Sequence, residues 1–292
     1  MSNKRLTLKR LVIFLVISFI PFWIIVPVLN GVYGEQIFVC EEAASAVYAL
    51  GVFGMLIPSI ANLVTRLVTK EGFADSFLGL NFKGNAGYYI ASVVVKLAES
   101  LLCVIIIWAV FINDLGFSEM FTSENMTAKT GLLLLQLSAS IVIFFPAFGE
   151  EWGWRGYMMP KLTELIGKPA AIVAGGVIWG LWHAPLTIAG HNFGTDYDLY
   201  PWLGIMLMCV MCVFMNAFLT LLTEKTKSIY PASFCHMINN NLGATMLLMM
   251  FGSEAAIMKL SAVSSTMLLV AYMPVFLVTG TVSFILLVKK KK

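Results

Sequence analysis

Eight stretches of about twenty mostly apolar residues punctuate this chain, at approximately 11–30, 43–64, 87–112, 131–149, 169–189, 202–223, 229–250 and 265–288. About twenty apolar residues in helical form are what the hydrocarbon core of a bilayer requires. Repetition of that length along the sequence predicts an all-α, polytopic membrane protein, a bundle of about eight transmembrane helices. The second run contains Pro58, and the seventh opens on polar residues around Ser233 and His236, so these two are the least regular. Composition agrees: apolar residues make up 59% of the 292 residues and charged residues 12%, against about 45–50% and about 25% in soluble domains. Too few charges remain to coat a water-exposed surface, so lipid must face much of the fold. No repeat, low-complexity tract or linker interrupts the pattern, and residues 1–292 read as a single transmembrane domain.

Charge placement orients the bundle. Lys4, Arg5, Lys9 and Arg10 precede the first run, and Lys289 to Lys292 close the chain. Basic residues flanking a span are cytoplasmic anchors, and neither cluster calls for nucleic acid. With the N-terminus inside, the internal segments carry Arg66, Lys70 and Lys83, then Arg155, Lys161 and Lys168, then Lys225 and Lys227. The opposite segments carry Glu35, Glu41 and Glu42, then Asp114, Glu119, Glu124 and Lys129, then Asp196 and Asp198, then Glu254 and Lys259. Both termini are therefore expected in the cytoplasm. The first run is too long for a cleaved signal peptide and no small-residue cleavage site follows it, so it is expected to remain as a span. The mixed segment 71–86 reads either as an amphipathic piece on the cytoplasmic interface or as a plain loop. Most of the five cysteines sit inside apolar runs, and they form no disulfide framework.

Ionisable residues at membrane depth are costly, and they mark a working site by default. The strongest candidates are Glu150 and Glu151, in Gly149-Glu150-Glu151-Trp152-Gly153-Trp154-Arg155. Apolar character resumes after this motif, so the helix can run past the nominal span, and Pro146 offers a place to kink. Adjacent helical residues point about 100° apart, so the two acids can serve different ends. Glu151 and Arg155 stand four apart with the acid first, the favourable order for an ion pair. Glu150 is left without a local partner, as suits a general base in a partly dry site. The alternative is that all three charges merely end the helix at the interface. His183 follows Trp179 by four residues in the fifth run; taken alone, it reads more readily as a satisfied core histidine than as a functional one. In the seventh run His236 and Asn240 share a helix face and can present two donors to one developing oxyanion. Asn239 and Asn241 read as helix-start residues bonding backbone, and His191 falls in an external loop with no assigned role. The sequence lacks H-E-x-x-H, G-x-S-x-G and any pair of intramembrane aspartates, so the common zinc-protease and serine-hydrolase motifs are missing.

Three motifs occur in order on successive helices: E-E-x-x-x-R (Glu150, Glu151, Arg155), aromatic-x-x-x-H (Trp179, His183) and H-x-x-x-N (His236, Asn240). Together they resemble the CPBP family, which includes the type II CAAX-processing endopeptidases and the bacterial Abi proteins. The resemblance implies an intramembrane glutamic endopeptidase of bacterial type, its protease core at approximately 130–250, acting in the bacterial cell membrane on a membrane-associated peptide. Carried onto this sequence, it makes Glu150 the activator of water with His183 assisting, and His236 and Asn240 the oxyanion partners. Glu151 and Arg155 would brace the site. Trp179 stands where Phe is commoner in the family. No cofactor or metal is implied; Zn²⁺ held by Glu150, His183 and His236 is an alternative, since three such ligands suffice for a catalytic site. Non-enzymatic alternatives are a membrane scaffold, a bacteriocin-immunity protein or a transporter. The substrate could be prenylated, a bacteriocin precursor or a signal-type peptide.

Overall fold

The computed structural model describes residues 3–34, 37–38, 41–110, 123–241, 271 and 273–289, which are helical apart from turns and loops. The helices are α1 (Asn3–Tyr33), α2 (Ala44–Gly54), α3 (Ile57–Val68), α4 (Ala86–Val110), α5 (Ser123–Gly153), α6 (Met159–Ile166), α7 (Lys168–Trp182), α8 (Ala184–Ile188), α9 (Trp202–Thr226), α10 (Tyr230–Asn241) and α11 (Met273–Val288). A single π-helical turn, Trp154–Met158, joins α5 to α6. Among the described residues, four helical stretches are long and apolar enough to cross a bilayer: Lys4–Tyr33, Glu41–Val68, Ala86–Ile107 and Trp202–Thr226. Lys168–Trp182 and Met273–Val288 are shorter apolar helices.

The surface is that of a protein dissolved in lipid. Leu8, Val12, Val16 and Ile20 are exposed at four-residue spacing along α1, and Ile90, Val94, Leu97, Leu101 and Ile105 form a similar stripe on α4. Thr7, Ser18, Asn62, Arg66, Lys96, Glu99, Glu150, Glu151 and Arg155 are buried instead. In hydrocarbon a polar group finds partners only inside the protein, so this inversion follows from the solvent. The chain is an integral membrane protein of the all-α class.

Proline chemistry divides two expected spans. The second run is α2 and α3, broken at Met55–Leu56, with Pro58 in the first turn of α3. The fifth divides at His183, because Pro185 has no N–H to continue the α7 ladder and opens α8 instead. The fourth runs on beyond residue 149 as expected, and the departure from α geometry falls at the π-turn, eight residues past Pro146. Segment 71–85 is turns and loop, so the plain-loop reading holds. Residues 242–250 of the seventh expected span, residues 265–270 of the eighth, and Cys40, Glu35, Asp114, Glu119, Glu254 and Lys259 lie outside the described residues.

Glycines set two close helix approaches around the site. A Cβ on Gly149 would lie 2.6 Å from Leu56 Cδ2, and one on Gly153 only 2.4 Å from Pro58 Cβ and 2.6 Å from its backbone carbonyl. This pair, four residues apart, seats the start of α3 against the acidic end of α5. Gly176 and Gly180 do the same for α7, where a Cβ would stand 2.3 Å from Val213 Cα and 2.5 Å from Cys209 Cα of α9. Small residues one turn apart are how membrane helices bring their backbones together. Helix α10 packs on α4, α5 and α9, and α9 packs on α7 and α11. The acidic end of α5, the C-terminal end of α7 and the first turns of α10 thereby converge.

Candidate active site

Four of the residues singled out in the sequence meet in one buried cluster. Arg155 Nη1 donates to Glu151 Oε1 at 2.8 Å, across the four-residue spacing that predicted the pair. His236, from the first turns of α10, lies between the two acids: Nδ1 is 2.8 Å from Glu151 Oε1, and Nε2 is 3.2 Å from Glu150 Oε2. Glu150, Glu151, Arg155 and His236 are each no more than 4% exposed. An ionised carboxylate only accepts, so an imidazole held between two of them needs both nitrogens protonated, or a proton on Glu150. Glu150 Oε2 and His236 Nε2 meet in an ion-pair contact at 3.2 Å.

The cluster is not saturated. Among the described residues, Glu150 Oε1, Glu151 Oε2 and both Nε and Nη2 of Arg155 are buried without a hydrogen-bond partner. Buried polar atoms are nearly always paired, so these oxygens and nitrogens are the groups able to bond a substrate and the attacking water. Glu150 Oε1 is the free lone-pair site of the acid that has no partner on its own helix.

Trp179 forms the wall that joins these parts. The Arg155 guanidinium sits over its ring at 4.0 Å, and its edge meets His183 at 5.8 Å and His236 at 5.5 Å between centroids. His183 stands at the α7–α8 break, half-buried, with Trp182 perpendicular to it at 4.9 Å. Its Nδ1 lies 2.9 Å from the Trp179 carbonyl. A carbonyl oxygen cannot donate, so Nδ1 carries the proton and neutral His183 presents Nε2 as a lone pair. Asn240, one turn beyond His236, is exposed; its Nδ2 is 3.8 Å from Met55 Sδ and its Oδ1 accepts from Asn239. His236 and Asn240 thus share a helix without touching one another. His191 stands apart, its ring against Phe38 at 4.8 Å. Among the described residues no three His, Cys, Asp or Glu side chains converge as metal ligands.

Several polar residues escape motif reading. Lys96 and Glu99, in the middle of α4, form a buried pair at 2.7 Å, with the ammonium 3.9 Å from the centroid of the Phe276 ring. The rule that flags Glu150 flags them too, but they sit in a strongly apolar run. Asn62 is wholly buried beside the site helix, and its Nδ2 donates to the Trp152 carbonyl at 2.9 Å. Arg66, Arg155 and Lys161, expected as basic residues of cytoplasmic segments, are buried and paired. Lys161 and Arg10 both meet Glu71, and Tyr157 donates to it at 2.9 Å. Burial works to raise the nearby Asp75 carboxyl, but the Arg66 guanidinium at 2.6 Å, with Lys161 behind it, holds it below its ordinary 3.8.

A family profile described as Rce1-like, type II CAAX prenyl endopeptidase, matches residues 132–242. A curated protein named CAAX prenyl protease 2, from Methanococcus maripaludis, is 28% identical over 116 residues. That alignment takes in 37% of this chain and 38% of the relative, so the likeness spans well under half of either protein. The matched segment contains Glu150, Glu151, Arg155, Trp179, His183, His236 and Asn240, every residue of the three motifs. Residues 132–242, which enclose the buried Glu–His cluster, are thus similar to the Rce1-like type II CAAX prenyl endopeptidases.

Proposed function

We propose that the chain is an intramembrane endopeptidase that hydrolyses a peptide bond by direct attack of water, with Glu150 as the base. The observation that carries this reading is the placing of Glu150: buried, without a hydrogen-bond partner at Oε1 among the described residues, and tied through Oε2 to His236 Nε2. A water at Oε1 gives a proton to the carboxylate as its oxygen attacks the scissile carbonyl carbon. The same proton passes to the leaving amine nitrogen as the C–N bond breaks. His183 offers a lone pair at Nε2 to hold that water, since its Nδ1 is committed to the Trp179 carbonyl. Once Glu150 has taken the proton of water, His236 Nε2 is released from it to donate, with Asn240, to the tetrahedral oxyanion, while Nδ1 stays backed by the Glu151–Arg155 pair. No covalent acyl-enzyme is required.

The reading is metal-independent, with His236 Nδ1 committed to Glu151 and His183 Nε2 given to the attacking water. The substrate class suggested by the relative's name is a membrane-associated peptide with a lipid-modified tail. Catalysis takes place in the cell membrane, with both termini on the cytoplasmic side. Comparative peptidomics of membranes from cells carrying the wild type or Glu150→Gln tests the activity directly. Peptides produced only by the wild type, and produced equally in the presence of chelators by purified protein, are expected. Identical peptide pools would point to a scaffold or immunity protein, and loss of cleavage on chelation with stoichiometric zinc would favour the metal alternative.

A further inference from the structure

The Glu151–Arg155 pair straddles a backbone irregularity, and the residue that takes up one end of it lies outside the family-matched segment. The Met159 N–H reaches back five residues to the Trp154 carbonyl, which defines the π-turn. Where a helix slips from four-residue to five-residue bonding, a backbone group needs a partner from elsewhere, and such turns recur at functional sites. Just before the turn, Asn62 Nδ2 donates to the Trp152 carbonyl at 2.9 Å. The Asn62 amide oxygen in turn accepts from Arg66 Nε at 2.8 Å. Arg66 is itself held by the Gly72 carbonyl and Asp75, each at 2.6 Å from Nη1, and its guanidinium covers the Tyr157 ring at 5.1 Å. At the far end of the turn the Tyr157 hydroxyl donates to Glu71. Helix α3 and the loop after it thus grip the π-turn at both ends, at Trp152 and at Tyr157.

We propose that Asn62 is a positioning residue for the catalytic cluster: its amide fixes the register of the π-turn, and so the angle at which Arg155 meets Glu151 and, through Glu151, His236. This rests on the reading of that cluster as catalytic. A side-chain amide suits the task because it donates to the backbone on one side and accepts from Arg66 on the other. Asp at this position keeps the acceptor for Arg66 but turns an oxygen toward the Trp152 carbonyl, so Asn62→Asp separates the two contacts.

The test measures amide hydrogen exchange at residues 153–158, thermal unfolding, and cleavage of a quenched fluorescent prenylated CAAX peptide, all on full-length protein in nanodiscs. Asn62→Asp is expected to unfold close to the wild-type temperature while exchange across 153–158 rises at least tenfold. Its kcat is expected to fall at least tenfold with KM within twofold. Wild-type exchange and kcat in Asn62→Asp overturn the proposal, as does a loss of activity that only tracks the fraction unfolded. If Asn62→Asp does not fold, Asn62→Ser, smaller and uncharged, carries the same readouts. Glu150→Gln is the control: if it cleaves the peptide as well as the wild type, or if the wild type does not cleave it, the catalytic reading of the cluster is what fails. Exchange at 153–158 then decides the role of Asn62 alone.

Discussion

Arg155 is the residue on which the site's electrostatics turn. Its guanidinium is 1% exposed, pairs with Glu151 through one nitrogen and spreads over Trp179. Removing one partner of a buried pair leaves the other charge uncompensated, which costs about 3–5 kcal/mol. Arg155→Met should therefore lose stability on that scale, read by thermal or denaturant unfolding in detergent, and the Glu151→Gln/Arg155→Met double variant should recover most of it. Arg155→Lys keeps the charge but lacks the flat face that lies on Trp179, so it should fall between the two. A double variant no more stable than Arg155→Met would mean that the pair is not what holds this region. The Glu151–Arg155 contact was legible because it is local, four residues apart on one helix. The insertion of His236 between the acids was not, since it joins residues 85 apart and depends on how α10 meets α5. Asn62 carried no signal at all: a lone Asn near a proline reads as a turn residue until its partner, a backbone carbonyl 90 residues away, is known.

At the scale of helices, the chain's long apolar runs made the spans readable, while their breaks and contacts came from residues that hydropathy ignores. Pro185 ends α7 and so leaves His183 at a helix joint, where its ring is free to face the cluster. The glycines are the clearer case. Gly149 and Gly153 flank the acidic pair, and their four-residue spacing is a packing signal inside a motif that reads first as chemistry. Gly153→Ala would drive a methyl group into Pro58, and Gly176→Ala one into Val213 Cα. Both contacts are with backbone or a proline ring, which cannot rotate aside, so the upper end of the usual overpacking cost, about 3 kcal/mol, is expected for each. Gly131 lies in the same α5 helix with nothing within 4 Å of the place a methyl group would take, and Gly131→Ala should be neutral or stabilise by about 1 kcal/mol through helix propensity. Unfolding midpoints of the three variants decide the matter; equal midpoints would show that the helices approach less closely than the structure has them. Activity should fall with Gly153→Ala beyond its loss of stability, because α3 and the acidic end of α5 shift together.

The whole molecule combines an inverted surface with an asymmetric charge distribution, and together these make a prediction about topology. Helix α9 is 25 residues long, so its ends stand about 37 Å apart at 1.5 Å per residue, enough to cross the hydrocarbon core. At one end lie Asp196 and Asp198, both exposed; at the other are Lys225 and Lys227, also exposed. Lys168 joins the basic end through a 2.5 Å contact with Glu224. Basic residues are retained on the cytoplasmic side, so the acidic loop before α9 should face outward. In a background with the native cysteines replaced by serine, Asp198→Cys should react with a membrane-impermeant maleimide on intact cells. Lys227→Cys should react only after permeabilisation. Reaction of both from the outside would mean that α9 does not cross, and the reverse pattern would invert the protein. The orientation matters for chemistry, because the Glu150–His236 cluster lies where α5 gives way to the segment carrying Arg155, Lys161 and Lys168. If Lys227 is cytoplasmic, the loop 71–85, joined to Lys227 and Ile229 through Asn81 and Phe77, lies toward that side, and with it the π-turn that this loop braces four residues beyond Glu150.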